Sequence, residues 1–302
     1  VLGFSLNVTS DTSVLIIDQL DSIRWTSYNY TQAWECIAEM INRGLNYSNL
    51  FIVVSCRSYD LNNDPLISAW KGNNSFKEIK IKSLKRGEIQ VELKKVDVQL
   101  DKLSDIQMNL LKNPLNLFLF TEIIKEREYM KFDASIDLFK EYCKIKLNTF
   151  NNSRLDFNAG EEILKKIVNK FDENQQLSIK KQFIQGNPEI IDALISLNIL
   201  DEYQKEETND NVISFFHQEF FDYLFARFFI QQDKDIFNWL IEKEQSLFRR
   251  EQLSQLLIFK RNSAQRGKHL EVINKILKSD EIRFHLKQVT LHQFSNFDSL
   301  LD

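Results

Sequence analysis

The sequence predicts an α/β segment that passes into a mainly helical chain, and three observations predict it. Two short apolar runs with a β-branched bias, Val14-Leu15-Ile16-Ile17 and Leu50-Phe51-Ile52-Val53-Val54, flank a stretch of helical periodicity. That is the pattern of a βαβ unit with parallel strands. Glycine and proline are scarce, at 7 and 3 of 302 residues, which favours long helices over turn-rich β architecture. From residue 85 onward, apolar residues recur at spacings of three and four, interrupted by one candidate hairpin.

Taken in order, residues 13–17 read as a buried strand, because the apolar run is continuous. Thr26-Ser27 can cap a helix over about 28–43, with Trp34, Ile37, Ala38 and Ile41 on one face and Gly44 as its stop. Residues 50–54 read as a second buried strand, closed by Ser55-Cys56-Arg57. Lys77-Glu78-Ile79-Lys80-Ile81 alternates and predicts a third, edge strand. Residues 85–125 are helical in pattern with a break at Asn113-Pro114, where proline suits the first turn of a helix over 115–124. Further helices follow over 135–147, 159–171 and 188–197. Residues 199–203 and 211–216 read as strands joined by the charged turn 204–210, and a helix over 218–229 follows directly. Helices, a hairpin and another helix are consistent with a winged-helix arrangement. Beyond residue 233 the chain reads as helix pairs such as 252–259 and 270–277. No fixed-period repeat is visible, although a degenerate helical solenoid can begin this way. Four segments are expected: an α/β core over 1–84, a helical domain over 85–134, a winged-helix domain over 135–232 and a C-terminal helical region over 233–302.

Charge and composition narrow the function. The formal net charge is −4 and the pI about 5.8, so a global basic field for nucleic acid is lacking. The helix of the hairpin region, residues 188–198, carries Glu189 and Asp192 and no lysine or arginine, which speaks against DNA as a partner. Cys36, Cys56 and Cys143 are far apart and match no zinc spacing; a sparse, odd set fits a reducing cytoplasm. The richest apolar run, 220–230, contains Asp222 and Arg227, so no membrane span is expected. The N-terminus lacks the order of a signal peptide. Val1-Leu2-Gly3-Phe4 begins as if in mid-fold, so a fragment of a longer protein is expected, with a trimmed or processed chain as the alternative.

Five residues carry candidate chemistry. Asp18 ends the first strand, where open α/β sheets bind ligands, and a carboxylate there can face Mg²⁺. Asp21, three residues on, can orient or deprotonate an attacking water. Arg57 lies just past the second strand, and its guanidinium can reach a terminal phosphate. Pro114 offers a flat apolar face to a base. His217, at a strand-to-helix junction, can donate to a phosphate oxygen. Each has a plain structural explanation when taken alone: a strand end, a solvated loop arginine, a helix start, a partly buried imidazole.

Together and in this order, the pieces resemble the STAND class of P-loop NTPases, and NACHT-type members in particular. Val14-Leu15-Ile16-Ile17-Asp18-Gln19-Leu20-Asp21 is similar to the Walker B pattern. Phe51-Ile52-Val53-Val54-Ser55-Cys56-Arg57 looks like the sensor 1 strand. Asn113-Pro114-Leu115 resembles the proline motif of the helical domain, without its usual glycine. Phe216-His217-Gln218-Glu219-Phe220-Phe221-Asp222-Tyr223 looks like the winged-helix signature. The matches extend over residues 13–230. The resemblance implies a partial P-loop NTPase parallel sheet and a switch in which ADP locks the winged-helix domain and ATP opens it. It implies ATP/ADP and Mg²⁺ as ligands, self-oligomerisation on activation, and a C-terminal region that senses an unidentified ligand. In bacteria such proteins commonly serve antiphage defence or transcriptional control. On that template Asp18 serves Mg²⁺, Asp21 and Arg57 the reaction, Arg57 the γ-phosphate, Pro114 the adenine and His217 the β-phosphate of ADP. Two departures stand out. Ser22 occupies a position that is often a further acid, and no G-x-x-x-x-G-K-[ST] run is present. ATP hydrolysis is therefore expected only with such a phosphate cradle upstream. A non-enzymatic helical scaffold or pseudo-ATPase remains the alternative.

Overall fold

Alternation governs the two N-terminal strands. In the computed structural model, which describes residues 12–18, 20, 30–56, 58–70, 76–152, 156–205, 209–246, 248–261 and 266–295, β1 (Ser13–Ile17) pairs in parallel with β2 (Leu50–Val54). Ser13 stands opposite Leu50, and Ile17 opposite Val54. The crossover contains α1 (Tyr30–Gly44). Trp34 on α1 joins Leu20 and Ile67 in a small core, against which Ile17, Ile37, Val54 and Leu61 pack. Gly44 closes α1 from within the helix. A Cβ there would lie 2.7 Å from Ile52 Cδ1 and 3.1 Å from Leu50 Cδ2, so the bare backbone lets the helix end settle on β2. The helix start expected at Thr26-Ser27 falls outside the described residues.

Two expectations for this part are corrected. The strands are not buried on both faces: Val14, Ile16, Phe51 and Val53 are between 52 and 69 % exposed. The opposite face meets α1, while nothing among the described residues covers this one. A continuous apolar run reads the same in either case, because the outward residues are apolar too. Residues 77–81 are also not a strand. They join no sheet, and Ile79 and Ile81 are 79 % and 92 % exposed. An alternating pattern needs a free strand edge beside it, and none among the described residues is used. Between β2 and this segment lie α2 (Ser58–Asn63) and α3 (Pro65–Ser68). Buried Asp64 caps α3, accepting from Leu66 N–H at 2.9 Å and Ile67 N–H at 3.3 Å. Trp34, Trp70 and Phe76 stack in a row, with centroids 5.0 and 5.4 Å apart, and so anchor the chain just before residue 77.

The chain divides into two units, Val1–Ile81 and Lys82–Asp302. The second begins with α4 (Arg86–Lys94), α5 (Asp105–Leu110) and α6 (Pro114–Glu126); the expected break falls at Asn113-Pro114, and the stretch before it is two helices. Asp97, at φ 57°, turns the backbone left-handed after α4, and Ser104 with Gln107 forms a capping box that starts α5. Next come α7 (Ser135–Asn152), α8 (Phe157–Asn174), β3 (Ser178–Lys180) and α9 (Pro188–Ser196). The expected hairpin is formed by β4 (Leu200–Lys205) and β5 (Asp210–Phe215), with Leu200 opposite Phe215 and Lys205 opposite Asp210. β3 adds to the free side of β5, giving an antiparallel sheet in the order β3-β5-β4. At three residues β3 is too short to show a period, which is why the sequence did not reveal it. Then α10 (Gln218–Gln231), α11 (Ile236–Glu242), α12 (Phe248–Arg261), α13 (Arg266–Lys278) and α14 (Phe284–Ser295) complete the described chain.

One continuous apolar core runs through this second unit, from Ile89 to Leu286. Phenylalanine builds its centre, which accounts for the heavy use of that residue. The protein is thus mixed α/β and mostly helical, with a small two-stranded parallel sheet and a three-stranded antiparallel one. No helix among the described residues is long and apolar enough to cross a membrane.

Candidate functional site

Parallel register brings the tips of β1 and β2 side by side. Ser55 N–H donates to Ile17 C=O at 2.9 Å, and Leu20 N–H donates to Ser55 C=O at 2.9 Å. The Ser55 hydroxyl donates to the Asp18 carboxylate. An exposed acid and a hydroxyl therefore meet at the carboxyl ends of adjacent parallel strands, a usual ligand position in open α/β sheets. Such a pair suits a hydrated hard cation, which takes few protein ligands and keeps most of its waters. No group of three or more His, Cys, Asp or Glu side chains able to hold a metal occurs among the described residues. Asp21 and Arg57 lie outside the described residues. Ser55 had no role in the sequence reading. Its signal is the pairing of the two strands, which a linear pattern does not contain.

Pro114 and His217 belong to the second unit. Pro114 is the exposed first residue of α6, and Asn113 caps that helix by accepting from Leu115 N–H at 2.8 Å. His217 is the N-cap of α10: its Nδ1 accepts the Glu219 N–H at 3.1 Å. A neutral imidazole that accepts at Nδ1 carries its proton on Nε2, which leaves Nε2–H as a donor. Burial lowers the His217 pKa from its ordinary value, which favours this neutral form. Phe216 connects the two places. Its ring lies 6.0 Å from Phe118, one turn along α6 from Pro114, and 5.4 Å from Tyr142 of α7. The start of α6 and the start of α10 thus lean on one aromatic cluster.

A third feature went unseen in the sequence. Asp222, one turn into α10, is 1 % exposed, and its Oδ2 has no hydrogen-bond partner among the described residues. Burial, with Glu251 of α12 and Glu219 of its own helix adding negative charge, raises its pKa well above the usual carboxylate range. In the linear pattern it looked like one polar residue on a helix. Its folded pKa exceeds its unfolded one, so the stability it contributes is full below the unfolded value. That stability is lost as pH rises through the folded pKa. Asp222→Asn should therefore stabilise the protein at neutral pH and flatten this part of the pH dependence. His285 acts in the opposite sense: burial lowers its pKa to about 4, so its contribution is lost as pH falls from about 6.5 towards 4. The wild-type-minus-variant difference in urea midpoint, taken pH by pH, isolates Asp222. A constant difference across pH would show that Asp222 does not titrate as described.

Comparison with protein-family models and with curated proteins gives no match for this chain.

Proposed function

We propose that this chain is part of a nucleotide-controlled signalling switch of the STAND type, working in the cytoplasm with ATP, ADP and Mg²⁺. The observation that carries the reading is the Asp18–Ser55 pair at the carboxyl ends of register-matched parallel strands. Asp18 and the Ser55 hydroxyl fit a hydrated Mg²⁺, whose chemistry is to neutralise charge on the terminal phosphates. On the resemblance, Asp21 would orient the attacking water and Arg57 would serve the γ-phosphate, while Pro114 would serve the adenine and His217 would offer its Nε2–H to the β-phosphate of ADP.

The apolar outer face of β1 and β2 supports the same reading. Parallel strands belong to sheets covered on both sides, so these two suit a larger sheet. The acidic α9, with Glu189 and Asp192, suits a winged helix that faces protein and nucleotide instead of DNA. Among the described residues the strand tips supply the Asp18 carboxylate and the Ser55 hydroxyl, and the 302 residues contain no G-x-x-x-x-G-K-[ST] run, so tight phosphate binding needs a cradle that this sequence does not itself supply. Activation proceeds by self-association, and the C-terminal helices sense a ligand that triggers it.

The test uses the natural polypeptide. Asp18→Asn should abolish Mg²⁺-dependent ATP turnover, and His217→Ala should loosen ADP. His217→Asn restores a cap to α10 but not the Nε2–H donor, so it should stay loose for ADP while regaining the stability lost in His217→Ala, about 1 kcal/mol. Unchanged turnover removes Asp18 from the mechanism, and unchanged ADP affinity removes His217. A natural polypeptide that binds no nucleotide leaves the scaffold reading in place.

A further inference from the structure

Asp222 stands on α10 where that helix meets α12, its principal helical neighbour. Its side chain is 1 % exposed, and Oδ2 has no hydrogen-bond partner among the described residues. The charged groups that act on it are both acids: Glu219, one turn earlier on α10, and Glu251, in the first turn of α12. Other charged side chains on the elements packed against α10 are engaged elsewhere. On α8, Glu161 pairs with Arg227 and Asp172 with Arg249. On α7, Glu141 pairs with Arg127 and Lys146 with Glu122, while the Cys143 thiol accepts from Arg227. Asp210 of β5 pairs with Lys180, and Arg250 of α12 acts on His285 of α14. An ionised Asp222 is therefore desolvated, unpaired and opposed by two like charges, whereas the neutral carboxyl escapes most of that cost.

We propose that the seam between α10 and α12 is a proton-operated latch: while Asp222 carries its proton the first turn of α12 stays closed on α10, and loss of that proton lets this turn unwind from the seam while the rest of the second unit stays folded. Only a short stretch has to move. Arg249 and Glu251 are two residues apart and so point to opposite sides of the helix. The Arg249 side keeps the loosened turn tethered to Asp172 of α8, and Leu253, Leu256 and Leu257 hold the later turns in the core. Parting on the Glu251 side lets water reach the carboxylate. Opening returns Asp222 to the ordinary carboxylate range, so between that range and its raised closed-state value each opening releases one proton to water. The ratio of open to closed then rises about tenfold per pH unit over this interval and levels off above it. The latch lies at the joint between the hairpin region, which α10 follows, and the C-terminal helices. It involves no nucleotide and does not depend on the function proposed above.

Native-state hydrogen exchange of the full chain, corrected for the intrinsic pH dependence of amide exchange, tests it. The amides of residues 252–255 close the first turn of α12 and report the latch, and those of α6 report the rest of the core. From about pH 5 upward, protection at 252–255 should fall about tenfold per pH unit and then level off, with α6 unchanged. Asp222→Asn should keep this turn protected at every pH. His285 of α14 acts only as pH falls, and the difference between wild type and Asp222→Asn removes its contribution. Glu251→Gln removes one of the two like charges, so its fall should level off at lower pH than in the wild type. Circular dichroism checks that each variant folds. Protection in the wild type that does not change with pH, an Asp222→Asn variant that loses it as the wild type does, a Glu251→Gln variant that levels off where the wild type does, or an α6 that loses protection in step with α12 overturns the proposal.

Discussion

Phe220→Ala is expected to destabilise the second unit by about 3–5 kcal/mol, the range for deleting a fully buried phenylalanine from a core that cannot close the gap. Phe220 is fully buried on the first turn of α10. Its ring has neighbours on three other parts of the fold: Phe139 of α7 at 6.2 Å, Tyr142 of α7 at 5.8 Å edge-on, Phe215 of β5 at 6.1 Å and Phe216 at 5.0 Å. Pairs in such tilted and edge-to-face arrangements add to the plain burial of area. The rings around the site are themselves held by Phe171, Tyr223 and Phe118, so the void left by alanine cannot be filled by a single rotamer change. Urea denaturation followed by circular dichroism should show a large fall in midpoint with the slope unchanged. Phe220→Leu, which keeps most of the volume, should lose far less. A loss below about 1 kcal/mol for Phe220→Ala would mean that the cluster is loosely packed.

Arg249→Ala is expected to cost about as much, roughly 3–5 kcal/mol, for a different reason. Arg249 is buried at the start of α12. Its Nη1 donates to the Asp172 carboxylate at the end of α8 and to Gln252 Oε1 at 2.9 Å. Gln252 Nε2 completes the triangle by donating to the same Asp172 oxygen at 3.0 Å. The guanidinium also lies 4.9 Å from the ring centroid of Trp239 on α11. Three helices, α8, α11 and α12, therefore meet on one cation. Removing it leaves the Asp172 carboxylate partly buried and without its charge partner. The penalty comes from that stranded charge, so removing both charges should cost less than removing one. The double variant Arg249→Met/Asp172→Leu should recover much of the loss, and the double-mutant cycle measures the coupling. If Arg249→Met and Asp172→Leu prove additive in that double variant, the two side chains do not act as a pair.

How much of this protein is legible in its sequence depends on the range of the interaction. The β1–α1–β2 unit, the α6 start at Pro114, the β4–β5 hairpin and α10 lie where periodicity and capping residues put them, to within a few residues. These are local properties: a period of 3.6 or 2, a side chain that caps its own helix, a proline that fits only a first turn. The failures share one cause. Whether β1 and β2 are covered on one face or two, and whether residues 77–81 find a partner, depends on what else in the chain comes near. An apolar run gives the same reading in each case. β3 is called into being by the free edge of β5 and has almost no pattern of its own.

The candidate site divides along the same line. The sequence by itself determined the chemical inventory: an acid at a strand end, a proline and a histidine at helix starts, and no phosphate cradle within the 302 residues. Only the tertiary structure decided that Ser55 stands beside Asp18, that His217 uses Nδ1 on its own helix and keeps Nε2–H for another acceptor, and that Asp222 sits in the core beside two further acids. The physical reason is that residue type and helical phase are written along the chain, whereas proximity, burial and the shift of a proton's affinity are created when distant segments exclude water between them.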